Sequence, residues 1–303
     1  MSNGLWLEDG DVRVHQLALG CITRDWQIGG KSAVLGYQHP EAYEDNPYYM
    51  GAIVGRVANR IGAASFILDG HTHNLCANEG RNMLHGGPGG LSTQTWDMDR
   101  DGSDGVMYRI TSPDGDQGFP GKLDVDVRVT LSGHTVTWDM RALPDRPTPV
   151  SLAQHNYYAL GGASKEMVLQ VDACRYTPID DESIPTGDVA TLPPEMDFRK
   201  PRPIGHDIDH NYALPSAPTK IKATGDNFAL SMTCDQPGVQ VYTSQFLQPH
   251  HPSLPGQTHT PHAAIALEPQ GWPDAVNKPD FPVIIATPDQ PYRQRLSVSI
   301  TPR

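Results

Sequence analysis

The sequence contains no long apolar run. No stretch approaches the roughly 18 apolar residues of a membrane-spanning helix, and Met1 to Gly10 has neither a basic n-region nor an apolar h-region. Basic residues are also scarce, since 23 Lys and Arg oppose 35 Asp and Glu to give a net charge of -12. Such a charge repels nucleic acid and anionic membrane surfaces. We therefore expect a soluble, cytoplasmic protein with a neutral small-molecule ligand and no nucleic-acid or membrane partner.

Cysteine is rare as well, and the motifs of several enzyme classes are missing. Cys21, Cys76, Cys174 and Cys234 are widely spaced, with no Cys-x-x-Cys pair. We expect buried thiols in a reducing compartment, without disulfides. The chain has no Gly-rich phosphate loop, no G-x-S-x-G elbow and no H-E-x-x-H motif. Nucleotide-dependent, serine-hydrolase and zinc-protease chemistry are therefore disfavoured.

Helical periodicity is almost absent, whereas strand alternation is frequent. Apolar residues occupy every second position from Leu123 to Leu131, and the alternation resumes at Val136, Trp138 and Met140. This pattern predicts an antiparallel hairpin. Asp69-Gly70 predicts a type I′ turn, since Asp-Gly supplies the positive φ that such a turn needs. The other predicted strands are Val12/Val14, Ser65 to Leu68, His71 to Leu75, Phe228 to Met232, Val239 to Phe246, Ala263 to Leu267, Val283 to Ala286 and Leu296 to Ile300.

One segment has a helical signal. Asn46 to Ile61 is predicted to carry a few helical turns, with Pro47 at the first helical position. The 29 Gly and 28 Pro are spread along the chain, and no internal repeat or shift in composition marks a boundary. We therefore predict an all-β fold: one large antiparallel β-sandwich with few short helices, forming a single domain over residues 1–303.

Two of the 13 histidines have neighbours that suit a ligand site. His85 lies in the segment NMLHGG (82–87), whose glycines allow backbone and ligand to approach closely. His155 lies in a polar and aromatic segment, residues 151–162, which suits a hydroxylated ring. Taken alone, each residue fits a structural histidine better than a catalyst, and only their joint presence with Glu268 favours a site.

Glu268 is the candidate base. Strand alternation places it on one face with Ala264 and Ala266, whose small side chains leave space beside the carboxylate. Burial there would raise the pKa of Glu268 toward that of a general base, although a solvated Glu at a strand end fits the same pattern. Gln240 shares a mixed polar and aromatic strand face with Tyr242, which favours a cleft wall.

Three more polar residues have two interpretations each. Asn59 and Arg60 offer directional donors to hydroxyl oxygens, but Arg60, like Arg56, could instead form an internal ion pair. Asp209 could accept hydrogen bonds from two vicinal hydroxyls or form an Asx-turn. Local sequence does not decide for Asn59 and Arg60, and for Asp209 it favours the turn.

The densest group of histidines consists of His250, His251, His259 and His262, in a Pro-rich stretch. Metal ligation needs three or four ligands that converge on rigid supports. Because Pro and Gly interrupt this stretch repeatedly, the sequence favours a solvated loop over a metal site. We therefore predict no metal ligands.

Nine blocks, in order along nearly the whole chain, resemble the aldose 1-epimerase (galactose mutarotase) family. They are GAIVGRVANRI (51–61), FILDG (66–70), NMLHGG (82–87), QHNYYALGG (154–162), YTPIDDESIPTG (176–187), DFRKPRPIG (197–205), DHNYAL (209–214), PGVQVYTSQFL (237–247) and LEPQGWPDAVNKPDFP (267–282). The resemblance implies the galactose mutarotase-like supersandwich and a cofactor-free isomerase of carbohydrate metabolism that interconverts the α and β anomers of free aldoses.

The same resemblance implies residue roles. Glu268 corresponds to the general base, His155 to the general acid and His85 to a second histidine at the sugar. The implied contacts to sugar hydroxyls are Asn59, Arg60, Asp209 and Gln240. The chain departs from the family pattern at Gln154, at Tyr158 and at Leu19-Gly20-Cys21, which bears on sugar preference more than on chemistry.

The implied reaction agrees with the residues present. Anomer exchange needs one group to remove the proton of the C1 hydroxyl and another to protonate the ring oxygen, so one carboxylate and one histidine suffice without a cofactor. A non-catalytic sugar-binding protein, a glycoside hydrolase using Asp209 and Glu268, and a phosphosugar epimerase are the rival hypotheses. The few Lys and Arg residues disfavour the last of these. For the enzyme we expect a monosaccharide as sole partner and a monomer or homodimer.

Overall fold

The framework of the molecule is a large antiparallel sheet. It is seen in a computed structural model that describes residues 4–215 and 218–303, so residues 1–3 and 216–217 of the predicted domain lie outside the described residues. Within the described ranges this sheet has nine strands. Their spatial order is Asp97–Asp101, Gly105–Ser112, Leu123–Ser132, Thr135–Pro144, Tyr292–Pro302, Phe228–Cys234, Thr219–Thr224, Val168–Val171 and Arg202–Pro203.

Smaller sheets pack with this framework. In the described part of the chain, one has the six strands Tyr157–Tyr158, Ile265–Gln270, Gly238–Tyr242, Asp209–Ala213, Arg175–Tyr176 and Ala190–Thr191, and another has the four strands Leu5–Asp9, Val12–Leu17, Ile22–Ile28 and Lys31–Ser32. Two-stranded pairs join Thr148–Pro149 to Ile285–Ala286, Ala153–Gln154 to Ile53–Val54, Arg60–Ile61 to Met83–Leu84, and Ser65–Leu68 to His71–Asn74.

The buried core lies between these sheets. Trp26 of the four-stranded sheet, Val127 and Trp138 of the nine-stranded sheet, and Val239 and Leu267 of the six-stranded sheet belong to one hydrophobic cluster. The Trp26 and Trp138 rings lie 6.2 Å apart between their centroids. Because side chains of a strand alternate between its two faces, each of these three sheets presents an apolar face to this cluster. The prediction of an all-β sandwich is confirmed.

The predicted hairpins are confirmed by burial and backbone geometry. Residues of Leu123–Ser132 alternate between buried and more exposed positions, and the strand pairs with Thr135–Pro144. Asp69 and Gly70 have φ values of 51° and 77°, the two consecutive positive values of a type I′ turn. The strand predicted over Val239 to Phe246 ends earlier, at Tyr242.

The predicted helix is wrong. Residues 46–61 contain only the short strands Ile53–Val54 and Arg60–Ile61, and Tyr49, Gly51 and Asn59 have positive φ values. Backbone groups of this segment form hydrogen bonds to residues distant in sequence instead. For example, Ile53 N–H donates to Gly20 O at 2.9 Å. The described helices are 3₁₀ turns, as expected for few short helices, at Pro40–Glu44, Gly62–Ala64, Leu91–Thr93, Asp116–Gly118, Ser164–Glu166, Pro194–Met196 and Ala275–Asn277.

The cysteines are free of disulfides, as predicted, but only two are buried. Cys21 and Cys234 lie in the interior, whereas Cys76 and Cys174 are exposed. Both exposed thiols lie in connecting segments just outside strands, where alternation does not constrain burial. In the described residues, none of the helices has the length and apolar character required to span a bilayer.

Candidate active site

A polar pocket opens beside the six-stranded sheet. Its cavity volume is about 230 Å³, below the range of roughly 300–1,000 Å³ that is typical for drug-sized ligands. The pocket therefore suits a small polar molecule. Its lining residues are Pro47, Tyr48, Tyr49, Asn59, Arg60, Glu79, Leu84, His85, His155, Tyr157, Asp209, Gln240, Tyr242, Phe246 and Glu268.

Glu268 lies within the strand Ile265–Gln270, beside Gln240 on the neighbouring strand. Its side chain is buried, and Glu268 Oε2 has no hydrogen-bond partner in the described residues. Burial raises the pKa of Glu268 to about 8, helped by the negative charge of Asp209 and opposed by Arg60. A carboxyl group in this state can accept or donate a proton near neutral pH.

His155 lies next to Glu268 in the pocket, just before the strand Tyr157–Tyr158 that pairs with the strand of Glu268. The short strand Ala153–Gln154 ends just before it, and its main chain is held by hydrogen bonds to Ala52 O at 2.8 Å and from Gly51 N–H at 2.9 Å. His155 Nε2 lies 3.6 Å from Glu268 Oε2, and both side chains are buried. Burial lowers the pKa of His155 to about 4. Two ionisable groups thus lie side by side, both largely removed from solvent.

His85 is the second histidine of the pocket, and its ring is oriented by the backbone. The N–H of Asn59 donates to His85 Nδ1 at 3.1 Å, so the neutral ring carries its proton on Nε2. Its centroid lies 5.1 Å from that of His155 and 4.6 Å from that of Tyr49. Burial lowers the pKa of His85 well below its usual value, and the nearby His155 and Arg60 lower it further to a smaller extent. His85 is therefore a neutral hydrogen-bond donor.

Two side-chain pairs complete the polar wall. Arg60 forms a two-point ion pair with Glu79, with Nε–Oε2 and Nη2–Oε1 distances of 2.5 and 2.8 Å. Gln240 Nε2 donates to Asp209 Oδ1 at 2.6 Å. Burial raises the pKa of Asp209. These pairs hold one cation, two carboxylates and one amide at the places where ligand hydroxyls could bind.

The structure brings all seven predicted site residues to one pocket. Asn59, Arg60, His85, His155, Asp209, Gln240 and Glu268 all line it. Arg60 forms an internal ion pair, with Glu79, and also lines the pocket, where its contact with a ligand hydroxyl stays a prediction. Arg56 instead bonds to Ser112 and nearby main-chain carbonyls. Asp209 begins the strand Asp209–Ala213, so the Asx-turn interpretation is wrong.

Sequence reasoning missed Tyr49 and Glu79. Tyr49 packs its ring against His85, but the helix prediction over residues 46–61 concealed any separate role for it. Glu79 lies in no distinctive motif and joins the site only through Arg60. The pair of aromatic residues that follows Pro47 is the sequence signal that could have identified Tyr49.

The glycines after His85 have a different role from the predicted one. A Cβ on Gly86 would lie 1.9 Å from the main-chain oxygen of Gly55, and Gly86 has a φ of 87°. Gly86 is therefore required for the approach of two backbone segments rather than for ligand access.

The His250–His262 stretch lies outside the pocket and is not wholly solvated. His250 and His251 lie on the surface next to Asp45, but His259 is buried, with 3% of its surface exposed. The solvated-loop prediction is wrong for His259, whose ring packs against Tyr37 with centroids 5.5 Å apart.

Comparison with known proteins assigns the family. The sequence profile described as Aldose 1-epimerase matches residues 5–299. The chain belongs to the aldose 1-epimerase family. Galactose mutarotase from Bos taurus is 36% identical over 311 residues, covering 94% of this chain and 90% of the relative, and that from Homo sapiens is 35% identical over 309 residues with the same coverage.

Solved structures agree with this aldose 1-epimerase assignment. An aldose epimerase homologue from C. elegans has a TM-score of 0.92 and 25% identity, and the match covers 99% of both chains. Galactose 1-epimerase from Lactobacillus acidophilus has a TM-score of 0.86 and 23% identity, covering 97% of this chain and 92% of that chain. The predictions of the family, of the galactose mutarotase-like fold and of an isomerase with aldose 1-epimerase function are confirmed.

The departures from the aldose 1-epimerase sequence pattern lie behind the pocket. Gln154 donates from Nε2 to Gly51 O at 3.0 Å and accepts from Asn156 N–H at 2.9 Å, while Tyr158 is fully buried. Neither side chain lines the pocket, nor does Cys21. Their influence on a sugar is therefore limited to the support of residues that touch it.

Proposed function

We propose that this site interconverts the α and β anomers of a free neutral aldose, with Glu268 as general base and His155 as general acid. The observation that carries the proposal is the 3.6 Å separation of His155 Nε2 and Glu268 Oε2 inside a small polar pocket. Asn59, Arg60, Asp209 and Gln240 are the proposed hydroxyl contacts, and His85 donates from Nε2 to a ring substituent.

The reaction needs Glu268 and His155 to hold one proton between them when the closed sugar ring binds. Glu268 removes the proton from the C1 hydroxyl while His155 protonates the ring oxygen, and the bond between C1 and that oxygen breaks to give an aldehyde. Rotation about C1–C2 presents the other face of the carbonyl. The ring oxygen then attacks C1, His155 recovers its proton and Glu268 returns the other to the new anomeric hydroxyl.

Burial of this pair decides which of its two groups holds the proton. In the ring-closed complex the reactive pair is carboxylate and imidazolium, whereas after opening it is carboxylic acid and neutral imidazole. Desolvation penalises both charges, as the pKa shifts of Glu268 to about 8 and of His155 to about 4 indicate. The carboxylate–imidazolium pair is therefore the less populated of two arrangements that hold the same number of protons, and ring opening returns the pair to the more populated one.

We further infer a single-domain protein that works in the cytoplasm as a monomer or homodimer. One hydrophobic cluster contains residues from Leu7 to Ile300, which supports a single folding unit. The free thiols Cys76 and Cys174 are exposed, which suits a reducing compartment.

Polarimetry on freshly dissolved sugars tests this function. The purified protein should accelerate the approach of α-glucose, α-galactose or an α-pentose to its equilibrium rotation, and Glu268→Gln should remove most of the acceleration. If no sugar equilibrates faster than in buffer while calorimetry detects binding, the chain is a non-catalytic sugar-binding protein. Release of a second sugar from a glycoside would instead support the hydrolase hypothesis.

A further inference from the structure

We propose that Asp45, His250 and His251 form a binding site for a divalent first-row transition-metal ion such as Zn²⁺. These three residues, here called the rim cluster, lie outside the sugar pocket. One potential ligand atom from each lies within 4.8 Å of the others. The site is new with respect to the acid–base chemistry and does not depend on the proposed function.

The geometry of the rim cluster is close to that of a metal site. His250 Nε2 lies 2.8 Å and His251 Nε2 3.8 Å from Asp45 Oδ2, and His251 Nε2 also lies 3.0 Å from the main-chain oxygen of Asp45. Ligands at about 2.0–2.2 Å from a tetrahedral zinc ion are separated by slightly more than 3 Å, which falls between these distances. Small movements of the two rings would place all three side chains around one ion.

The supports of the two histidines are rigid. Pro249 and Pro252 flank the His-His pair and restrict the backbone on both sides. The segment is also paired with a neighbouring one, because Gln38 N–H donates to Pro252 O at 2.8 Å. The buried ring of Tyr37 makes an edge contact with His251, with centroids 5.1 Å apart. This segment therefore has the converging ligands on rigid supports that metal ligation needs and that the sequence did not reveal.

Asp45 supplies the ligand that the sequence did not reveal. It follows the 3₁₀ turn Pro40–Glu44, and its backbone N–H donates to Ala42 O, which fixes the start of its side chain. In the described residues Asp45 pairs with His250 and His251 and with no Lys or Arg. The carboxylate is thus available to a cation without displacement of a competing fixed charge.

The donor set selects the class of ion. Two imidazole nitrogens and one carboxylate, with the Asp45 main-chain oxygen nearby, match the ligand preferences of Zn²⁺, Cu²⁺ and Ni²⁺ better than those of Mg²⁺ or Ca²⁺, which prefer oxygen-only sets. Nε2 of each ring lies at hydrogen-bond distance from an oxygen of Asp45, so an ion would replace these two hydrogen bonds and leave the ring proton on Nδ1.

A metal ion here would fasten two segments at the entrance of the sugar pocket. His250 and His251 belong to the loop after Leu247, and Asp45 precedes Pro47 and Tyr48, which line the pocket. The two segments already meet where Gln248 N–H donates to Tyr48 Oη at 3.1 Å. The ion would therefore stabilise the rim without touching the acid–base pair.

Zinc titration of tag-free protein, previously stripped with EDTA, tests the proposal. Competition with a chromophoric chelator should give one equivalent of bound Zn²⁺, and saturating Zn²⁺ should raise the thermal midpoint. In His250→Ala/His251→Ala the dissociation constant should rise by more than the roughly 10- to 100-fold that loss of an outer-shell partner costs. Asp45→Asn should also weaken binding, with a smaller change to the local packing.

Two controls separate this site from others. His71→Ala/His73→Ala removes a histidine pair from a surface hairpin and should leave Zn²⁺ affinity unchanged. His85, His155 and Glu268 form another group that could hold an ion, so Glu268→Gln is the second control. This variant should still bind one equivalent of Zn²⁺. Each variant is compared with wild type by its thermal midpoint in EDTA, which shows whether it is folded.

Three results would overturn the proposal. One is the lack of a Zn²⁺ equivalent in wild type, and another is unchanged affinity in folded His250→Ala/His251→Ala and Asp45→Asn. The third is loss of the equivalent in Glu268→Gln alone, which would place the ion in the sugar pocket. None of these results bears on the anomerase rate measured in EDTA.

Discussion

Two groups in this molecule, His85, His155 and Glu268 of the sugar pocket and the rim cluster, contain the same residue types, two histidines and a carboxylate, in opposite environments. Glu268 and His155 have side chains that are 3% and 6% exposed, whereas Asp45 and His250 have side chains that are 71% and 35% exposed. Burial penalises charge and moves the pKa values of Glu268 and His155 in opposite directions. In the rim cluster, water stabilises charged groups. Position in the fold, rather than residue type, therefore distinguishes the proposed proton-transfer pair from the proposed cation site.

The sharpest test removes a carboxylate from each group. Glu268→Gln should lower kcat by about 100-fold or more, since the amide cannot accept the C1 hydroxyl proton. Asp45→Asn is the matched control and should leave kcat close to the wild-type value. Polarimetry at saturating sugar measures both. Equal kcat values in the two variants would remove Glu268 from the role of base.

The two histidines of the pocket should differ from each other. His155→Asn should lower kcat strongly and abolish the alkaline limb of the pH profile, because the proton donor is lost. His85→Asn keeps a donor and should raise KM more than it lowers kcat. Steady-state kinetics on the single variants decide the matter. If His85→Asn is the more damaging to kcat and alone removes the alkaline limb, the roles are reversed.

The wild-type pH profile should be bell-shaped. The pair holds one proton between a pKa of about 4, that of His155, and a pKa of about 8, that of Glu268. Below this window both groups are protonated and no base remains; above it the pair has lost the proton needed by the ring oxygen. The rate should therefore fall on both sides of the window. Initial rates across pH in EDTA provide the measurement, and a rate independent of pH across both limits contradicts the shared-proton scheme.

Burial of Glu268 should also appear in stability. Its pKa is raised from 4.5 to about 8 in the folded state, so the stability that it contributes is full below the unfolded value and is lost as the pH rises through the folded value. Relative to wild type, Glu268→Gln should therefore gain free energy of unfolding between pH about 5 and about 9.

Denaturant unfolding at both pH values measures this gain. Asp45→Asn, in which an exposed carboxylate is replaced, should change the free energy of unfolding by less than about 1 kcal/mol at either pH. A difference between Glu268→Gln and wild type that stays constant with pH would show that the carboxyl is not desolvated.

The smallest effect is expected from a chelator. EDTA should leave kcat unchanged, because the proposed acid and base act without an ion and the rim cluster lies outside the pocket. Polarimetry before and after dialysis against EDTA checks this expectation. A rate that falls with EDTA and recovers with Zn²⁺ would mean that the distinction between the two groups is wrong.

Much of the fold could be predicted because strand periodicity is local. The alternation from Leu123 to Leu131 and the Asp69-Gly70 turn require only neighbours in sequence, and both predictions are confirmed. The helix prediction for residues 46–61 was wrong for the opposite reason. Their backbone hydrogen bonds go to partners such as Gly20 and Ser151, which no local pattern reveals.

For the site, the sequence by itself determined the family and the seven candidate residues, since nine ordered blocks carry that information. Only the tertiary structure decided the burial, the partners and the pKa values of these residues. It placed His155 3.6 Å from Glu268, paired Arg60 with Glu79 and brought Asp45 to His250 across 205 positions. Burial and distance depend on the packing of strands from the whole chain. The pKa of a carboxylate, and with it the choice between proton transfer and cation binding, is therefore a property of the folded molecule.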